Sequence, residues 1–325
     1  MGDTYEELQR AAQRSRAGEA PLSRRLAAEF VGTTLFVAIG TGAATALALG
    51  PLKRLGQLTR LPGFTENPDT SVVYGNVLGT GAPTLSELLP VALAFAFGLA
   101  LLVYALGGTS GAHFNPAVTI GLAVLRRFRW SDVPLYVITQ LLGGIAGAFI
   151  IAGIYGRDGA RFEGVDILFG ATRVADGVGL AQALLAEALI GFILMTAIMA
   201  VAVDNRAPRG WSGLVIGLAL AAGIVVTGAA TGGSANLARS LGPFVASLLP
   251  YGAGAIPWED LFVYAIGPLI GAAAAGLIYE SVTELEPASP APEPGSATTL
   301  DYVEEPPGHG VTIDTGPRPP EPPRG

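Results

Sequence analysis

The stretch GAHFNPAVTIG, residues 111–121, places an Asn-Pro pair between a glycine-rich turn and an apolar run. Asn115 is a residue type that commonly caps a helix N-terminus, and Pro116 fits the first helical position, where its missing N–H is not needed. The apolar run that begins there, PAVTIGLAVL (116–125), is too short to cross a bilayer as a helix. We therefore predict a re-entrant half-helix, which enters an apolar environment without spanning it.

The chain around this stretch has the composition of an integral membrane protein. Of its 325 residues, 50% are hydrophobic and 14% are charged, and the mean hydropathy is +0.50. Six apolar segments approach the ~20 residues that a spanning helix needs; they cover 26–49, 88–107, 133–155, 180–203, 212–230 and 261–281. None alternates in polarity as a strand of a membrane barrel would. The sequence predicts an all-α membrane protein with six transmembrane helices.

The first and fourth apolar segments resemble each other. LAAEFVGTTLFVAIG (26–40) and LLAEALIGFILMTAIM (184–199) each carry a glutamate early in an apolar helix, Glu29 and Glu187 respectively. This similarity indicates that the chain consists of two related halves.

The same comparison predicts a second half-helix. GGSANLARS (232–240) follows the fifth apolar segment as SGAHFNPAV follows the second, so Asn236 corresponds to Asn115, and the short run 237–249 follows it. Because each half has three spans, the second half enters the membrane from the opposite side, which makes an inverted repeat. Irregular backbone at membrane depth is tolerated where it lines a water-filled cavity, so two such segments predict a pore. The repeat halves cover about 26–155 and 180–281.

Charge divides the chain into three regions. The first 25 residues hold five arginines and lack the apolar core of a signal peptide, so we expect a cytoplasmic N-terminal segment, 1–25. The membrane domain is 26–282. The tail, 283–325, holds eight acidic residues against two arginines and 11 of the 24 prolines, so we expect it to be disordered. Most of the net charge of −7 lies in this tail, and the near-neutral body excludes nucleic acid as a partner.

Basic residues near the segment ends predict the orientation. One side holds the N-terminal arginines together with Arg126, Arg127, Arg129, Arg206 and Arg209. We therefore expect a multi-pass protein of the cell membrane with both termini in the cytoplasm. The segment 50–87 is long for a connection between two spans, and we expect it to be a loop.

At its two loop motifs the chain resembles the major intrinsic proteins, that is, the aquaporins and aquaglyceroporins. The resemblance covers about 25–282 and rests on SGAHFNPAVT (110–119), NLARSLGP (236–243), AEFVGT (28–33), QLLGG (140–144) and GPLIGA (267–272). It implies an aquaporin-like fold, with six transmembrane helices and two half-helices in an inverted repeat, and a homotetramer with one pore in each subunit. The chain departs from the family at Leu237, where the second signature usually has proline.

The resemblance also implies how the pore would work. Asn115 and Asn236 would each point a side-chain N–H at the lumen, where a passing water accepts from both. The positive ends of the two half-helix dipoles would face the same place and raise the energy of a cation or proton there. Leu237 keeps the cap but loses the fixed backbone angle of proline. The implied function is a passive channel for water that excludes protons and ions.

Family spacing from the signature asparagines gives a selectivity filter at the outer constriction, formed by Phe95, Ile224, Gly233 and Arg239. Arg239 would donate hydrogen bonds to the permeant and repel cations. Ile224 stands where water-selective members have His, whereas Ser240 stands where glycerol facilitators typically have Asp. A place for Phe95 in the core instead of the filter is an equal alternative. Water alone, and water together with glycerol or other small neutral solutes, both stay open as permeants.

The family resemblance gives Glu29 and Glu187 a structural role, as acceptors for backbone N–H groups of the re-entrant loops. We expect His113 to support the first loop as a structural side chain, with a titrating gate as the alternative. A second function class also stays open, a proton- or ion-coupled secondary transporter, which likewise uses inverted repeats and broken helices. It would need Glu29 and Glu187 as its coupling site.

Catalytic chemistry has no candidate residues in the sequence. The chain contains no cysteine, and its membrane segments hold no metal-ligand cluster and no nucleophile paired with a base. We predict that the protein is not an enzyme and that it binds no cofactor and no metal. Its expected partners are water, small neutral solutes and the lipid bilayer.

Overall fold

The computed structural model describes residues 20–58, 85–162, 165–208, 210–252 and 256–285. The helices in these ranges are α1 (Leu22–Leu58), α2 (Leu85–Ser110), α3 (Pro116–Val124), α4 (Val133–Ala160), α5 (Leu180–Ile198), α6 (Ser212–Thr231), α7 (Leu237–Tyr251) and α8 (Asp260–Thr283). Helix α5 continues into a π-helical turn, Met199–Val203. A short antiparallel pair, β1 (Arg161–Phe162) and β2 (Val165–Asp166), follows α4.

Six of these helices are long and apolar enough to cross a membrane: α1, α2, α4, α5, α6 and α8. Their most apolar stretches have mean hydropathies between 1.6 and 2.4. The other two, α3 and α7, have 9 and 15 residues and follow the second and fifth spans. The predicted fold, six transmembrane helices with two half-helices, is therefore confirmed.

The largest difference from the predicted boundaries lies at the end of α1. The segment 50–87 was predicted to be a loop, but α1 continues to Leu58. Leu49 and Leu52 are buried against Ile167, which lies beyond α4 in the sequence. This packing favours continued helix, and no local pattern in the sequence reveals it. The rest of the predicted loop, 59–84, lies outside the described residues.

The start of α1 also differs from the prediction. We expected the first span to begin at residue 26, but α1 begins at Leu22, directly after Pro21. Arg25, assigned from the sequence to the N-terminal segment, is only 1% exposed and forms an ion pair with Asp132. A buried partner in another part of the chain thus draws the basic end of the helix into the fold. Residues 1–19 and the tail beyond 285 lie outside the described residues.

Helix crossings repeat between the two halves. Helix α4 crosses α1 at Gly143 and Gly147, and α8 crosses α5 at Gly267 and Gly271. At each of these glycines an added Cβ would meet a backbone carbonyl of the partner helix. Small residues allow helix backbones to approach this closely in membranes. The four glycines thus have the packing role that their spacing indicates.

Each half-helix packs against the last spanning helix of the opposite half. Helix α3 contacts α8, and α7 contacts α4. The half-helices also contact each other, and hydrogen bonds described below join their N-terminal turns. The arrangement is that of an inverted repeat in which the two halves are interlocked at the centre.

Arginines cluster at the end of the bundle where α1 begins. Arg25 and Arg129 both pair with Asp132, and Arg25 also lies over the ring of Tyr136, 5.5 Å from its centre. At the same end Arg127 pairs with Glu280, near the end of α8, at 3.0 Å.

A further polar cluster joins the α5–α6 connection to the end of α8. Asp204 accepts hydrogen bonds from Arg206 Nη2 at 2.6 Å and from the Tyr279 hydroxyl at 3.0 Å. Arg206 Nη1 also donates to the carbonyl of Thr283 at 3.2 Å. The hydrogen bonds from Arg206 hold the pKa of the Asp204 carboxyl well below its ordinary value.

Candidate functional site

Asn115 and Asn236 cap the two half-helices in the same way. Their backbones are extended, with φ and ψ of −152° and 121° at Asn115 and of −154° and 111° at Asn236. Each side-chain oxygen accepts a hydrogen bond of 2.9 Å from the N–H two residues further on, in Ala117 and Ala238. These bonds satisfy one of the free N–H groups at each helix start. Leu237 therefore does not prevent the second cap.

Each asparagine also binds the loop of the opposite half. Asn115 Nδ2 donates to the carbonyl of Ala235 at 2.8 Å, and Asn236 Nδ2 donates to the carbonyl of Phe114 at 2.9 Å. A side-chain amide has two N–H groups. One N–H of each asparagine is therefore used between the loops, and one is left for a ligand. The motifs did not predict these bonds between the halves.

Glu29 lies beneath the first loop, and its carboxylate accepts four hydrogen bonds. The donors are the Ser110 hydroxyl at 2.7 Å, the N–H groups of His113 and Phe114 at 3.0 and 2.7 Å, and Gln140 Nε2 at 2.8 Å. Glu29 is fully buried. A buried carboxylate is tolerated when such donors satisfy its oxygens.

Glu187 occupies the corresponding place in the second half. Its carboxylate accepts from the Thr231 hydroxyl at 2.6 Å and from the N–H groups of Ser234 and Ala235 at 2.9 and 2.8 Å. Like Glu29, it is fully buried. Both glutamates thus lie against the backbone of the two loops.

The backbone of both loops turns through the left-handed region. Positive φ angles between 48° and 87° occur at Gly111, Ala112, Phe114, Gly232, Gly233 and Ala235. Such angles are unfavourable for residues with a side chain and persist where the surroundings enforce them. The N–H groups of Phe114 and Ala235 are both held by glutamates. Glu29 and Glu187 therefore stabilise the unusual loop conformation directly.

His113 is buried under the first loop among aromatic rings. Its Nδ1 lies 3.1 Å from Thr119 Oγ1, and its ring packs 4.7 Å from Phe128 and 5.4 Å from Tyr136 between ring centres. These contacts favour a structural side chain over a titrating gate.

A cavity extends from the two asparagines toward the end of the bundle where α6 begins. Asn115 and Asn236 line it together with the loop backbone and apolar side chains that include Leu99, Leu194 and Leu220. Neither glutamate is among its lining residues. The cavity is thus mostly apolar, with the two amide groups at one end and His113 also in its lining.

The four predicted filter residues lie outside this cavity lining and contact each other in pairs. The Arg239 guanidinium carbon lies 5.1 Å from the centre of the Phe95 ring. A Cβ added at Gly233 would lie 3.0 Å from Ile224 Cα. Phe95 and Ile224 are 2% and 3% exposed. Phe95 also packs 5.1 Å from the ring of Phe36, so it belongs to the core while its ring faces the arginine.

A turn in the α4–α5 connection fixes Arg239. Its Nη1 donates to the carbonyl of Gly170 at 3.0 Å. Gly170 ends the turn Leu168–Gly170, in which all three residues have positive φ. A Cβ on Gly170 would lie 2.5 Å from the carbonyl of Thr41 on α1, so only glycine fits here. Sequence reasoning missed Gly170, because nothing in its segment marks it as a partner of the second loop.

Gly40 was also missed. An added Cβ there would overlap the ring of Phe95, so the missing side chain makes room for that ring. A glycine within an apolar helix is only a weak indication of close packing in the sequence. Its role becomes clear when the position of the neighbouring helix is known. Within the described ranges no group of three or more His, Cys, Asp or Glu side chains is placed to hold a metal ion.

Known proteins share this arrangement of sequence and fold. The sequence model of the family described as "Major intrinsic protein" matches residues 16–279. Aquaporin AqpM of Methanothermobacter thermautotrophicus is 40% identical over 262 residues, which are 81% of this chain and 98% of that protein. Aquaporin NIP3-1 of Zea mays is 32% identical over 269 residues, which are 82% of this chain and 72% of that protein.

A solved structure has the same fold. The X-ray structure of the aquaglyceroporin from Plasmodium falciparum aligns with a TM-score of 0.64 at 23% identity, covering 81% of this chain and 97% of that one. The family match over most of the chain and the identity to AqpM agree with the loop motifs. The chain belongs to the major intrinsic protein family.

Proposed function

We propose that the protein is a passive transmembrane channel for water, with Asn115 and Asn236 at the centre of its pore. The observation that carries this proposal is the meeting of two capped half-helices, each with one side-chain N–H left over, beside a mostly apolar cavity. A water molecule there accepts from both asparagines and donates outward in both directions. Such an orientation interrupts any chain of hydrogen bonds that could relay a proton.

The two half-helix dipoles support the exclusion of cations. The N-termini of α3 and α7 adjoin, as the bonds between the loops require. Each helix N-terminus carries a partial positive charge, which raises the energy of a cation or proton at that point. Arg239, fully inside the protein, adds a formal positive charge beyond the asparagines.

Phe95, Ile224, Gly233 and Arg239 form the selectivity filter in this proposal. Ile224 and Phe95 supply apolar surface, and Arg239 supplies donors to the permeant. Gly233 adds no side chain, which favours a wider opening. Water is the proposed main permeant, and glycerol or another small neutral solute is compatible with this filter.

The geometry disfavours a proton- or ion-coupled transporter. Glu29 and Glu187 are the carboxylates that such a mechanism would need, but both bind loop backbone and neither lines the cavity. A coupling residue must alternate between the substrate path and the two sides of the membrane. Here, release of either glutamate from its loop would remove the main hydrogen-bond acceptor of that loop. We therefore infer a channel and not a coupled transporter.

We further propose that both termini lie in the cytoplasm and that the protein is a homotetramer in the cell membrane. The orientation rests on the arginines at the end of the bundle where α1 begins and α8 ends. The tetramer rests on family membership, and the lipid-facing surface has apolar side chains that could pack between subunits, such as Ile154 and Leu185.

Stopped-flow light scattering of proteoliposomes tests the permeant. Osmotic water permeability and glycerol uptake are measured in the same vesicles and compared with empty liposomes. We expect water permeability well above that of empty liposomes. Glycerol uptake above background would show that the filter admits small solutes as well as water, and no glycerol uptake would show that it admits water alone. Water permeability equal to that of empty liposomes contradicts the proposal.

A further inference from the structure

The turn before α7 has the same backbone as the turn before α3, although it lacks the proline. Proline fixes its own φ and restricts the preceding residue to extended backbone. Pro116 therefore helps to hold Asn115 extended. Leu237 has neither effect, yet the φ and ψ of Asn236 lie within about 10° of those of Asn115. The bonds to Ala238 and Phe114 hold the side chain of Asn236, and its backbone groups have a partner of their own.

Three buried hydroxyl groups form a chain that ends on the backbone of Asn236. Thr172 Oγ1 lies 2.7 Å from Ser240 Oγ, which lies 2.6 Å from Ser234 Oγ. Ser234 Oγ donates to the Asn236 carbonyl at 2.9 Å and accepts from the Asn236 N–H at 3.2 Å. The chain thus fixes both backbone polar groups of the residue that proline would otherwise restrict.

The direction of these bonds follows from the number of protons. A hydroxyl group has one proton. When Ser234 uses its proton on Asn236, Ser240 donates to Ser234 and Thr172 donates to Ser240. Without the Thr172 hydroxyl, Ser240 would lose its donor inside the protein, where an unmet hydrogen bond is costly.

The first half has a corresponding bond, but its donor comes from a spanning helix. Gln140 Nε2 on α4 donates to Thr119 Oγ1 at 2.9 Å, and Thr119 Oγ1 donates to the carbonyl of Asn115 at 3.1 Å. Asn115 is thus held both by this bond and by the proline that follows it.

The repeat provides no such helical donor in the second half. Tyr136 on α4 and Tyr264 on α8 correspond, because each donates to the carbonyl of the last residue of a helix, Ser110 of α2 and Thr231 of α6, at 2.9 and 2.8 Å. By the same spacing Gln140 corresponds to Pro268, which has no side-chain donor. Thr172, in the α4–α5 connection, supplies the partner of Ser240 instead.

We propose that Thr172 is a positioning residue for the second pore asparagine. Through Ser240 and Ser234 it maintains the extended backbone of Asn236, which in the first half Pro116 helps to impose on Asn115. The turn Leu168–Gly170, which binds Arg239, adjoins Thr172 in the same connection. One connecting segment thus positions both the filter arginine and the second asparagine. The effect on flux rests on the proposed channel function, whereas the effect on backbone order does not.

Thr172→Val tests this role with little change in packing. The Thr172 methyl packs against Gly232, where an added Cβ would lie 3.0 Å from it, and valine keeps that methyl while removing the hydroxyl. We expect deuterium uptake of peptides covering 232–240 to become about fivefold faster in the purified variant. Thr172→Ser, which keeps the hydroxyl, should remain close to the parent protein.

Leu237→Pro provides the decisive second variant. Asn236 already has backbone angles that a following proline requires, so the substitution fits without rearrangement. In the Thr172→Val background it should restore slow deuterium uptake and most of the water permeability, which we expect Thr172→Val alone to lower about threefold. Thr45→Val is the matched control, because it removes a buried hydroxyl that bonds only along α1, to the carbonyl of Thr41.

Each result separates this proposal from the channel function. Unchanged deuterium uptake in Thr172→Val, or no rescue by Leu237→Pro, overturns the positioning role even if the parent protein conducts water. If the variants show the predicted deuterium uptake but the parent protein conducts no water, the result supports the positioning role and contradicts the proposed channel function.

Discussion

Asn115 and Asn236 each donate a side-chain hydrogen bond to the carbonyl of the residue that precedes the other, at 2.8 and 2.9 Å. The two half-helix starts are thereby tied to each other as well as to their own glutamates. A structural change in either loop should therefore alter the positions of both asparagines. The starts of the two half-helices therefore form one unit built from both halves of the chain.

Glu187→Gln tests whether the buried glutamates are structural acceptors. Glutamine keeps the size of the side chain but turns an NH₂ group toward loop donors that need an acceptor. We expect a loss of about 3 kcal/mol in unfolding free energy and a lower water permeability. An imposed pH gradient should change the water permeability of neither the variant nor the parent protein. Thermal unfolding in detergent and proteoliposome flux measure the two effects.

Glu280→Gln is the control for that substitution. Glu280 pairs with Arg127 near the end of α8 and contacts neither loop, so its substitution should leave water permeability unchanged. A Glu187→Gln protein that is fully stable but loses gradient-driven solute uptake would favour the transporter instead.

Arg239→Ala tests the filter. Removing the guanidinium takes away a positive charge and opens space beside Phe95, so larger neutral solutes and small cations should pass more readily. Solute uptake in proteoliposomes measures this, with Arg161→Ala as the control, because Arg161 is half-exposed and paired with Asp166. An unchanged solute preference would show that Arg239 does not line the filter.

Mercurial reagents test the position of Ile224. The chain has no cysteine, so water flux through the parent protein should be insensitive to mercury. Ile224→Cys should make flux sensitive, and a thiol reductant should reverse the inhibition. Ile154→Cys, on the exposed outer face, should remain insensitive. If Ile224→Cys is also insensitive, Ile224 lies away from the water path.

Asp204→Asn tests the cluster that joins the α5–α6 connection to α8. It removes the charge that binds Arg206 and should lower the unfolding free energy by on the order of 1 kcal/mol. The folded-state pKa of Asp204 is lowered, so its stabilisation is complete above the unfolded value of about 4 and is lost only as the pH falls further. The difference between variant and parent should therefore be equal at pH 5 and pH 8. A difference that vanishes at pH 5 would contradict this assignment.

Local patterns in the sequence predicted the spanning helices and the starts of the two half-helices. The apolar segments predicted the six spanning helices, and the Asn-Pro pair predicted the start of α3. Long-range packing determined the helix boundaries and buried side chains that local patterns did not predict. Helix α1 extends to Leu58 through contacts with a distant segment, and Arg25 is buried by a partner more than a hundred residues away.

The site was predicted unevenly for the same reason. Asn115, Asn236, Glu29 and Glu187 lie in motifs. The structure links each asparagine to the opposite loop and places one glutamate against each loop. The partners that fix the filter arginine come from a connecting segment with no motif of its own. Three successive residues with positive φ, two of them not glycine, cannot be read from side-chain type. Such contacts depend on the finished fold.

Paired measurement of water and proton flux in the same proteoliposomes tests the central claim most directly. An osmotic gradient drives water while a pH-sensitive dye inside the vesicles reports protons. Two half-helices that meet at Asn115 and Asn236 predict water permeability well above that of empty liposomes, with proton flux equal to theirs. Proton flux that rises in proportion to water flux, or no water flux above background, would contradict the account.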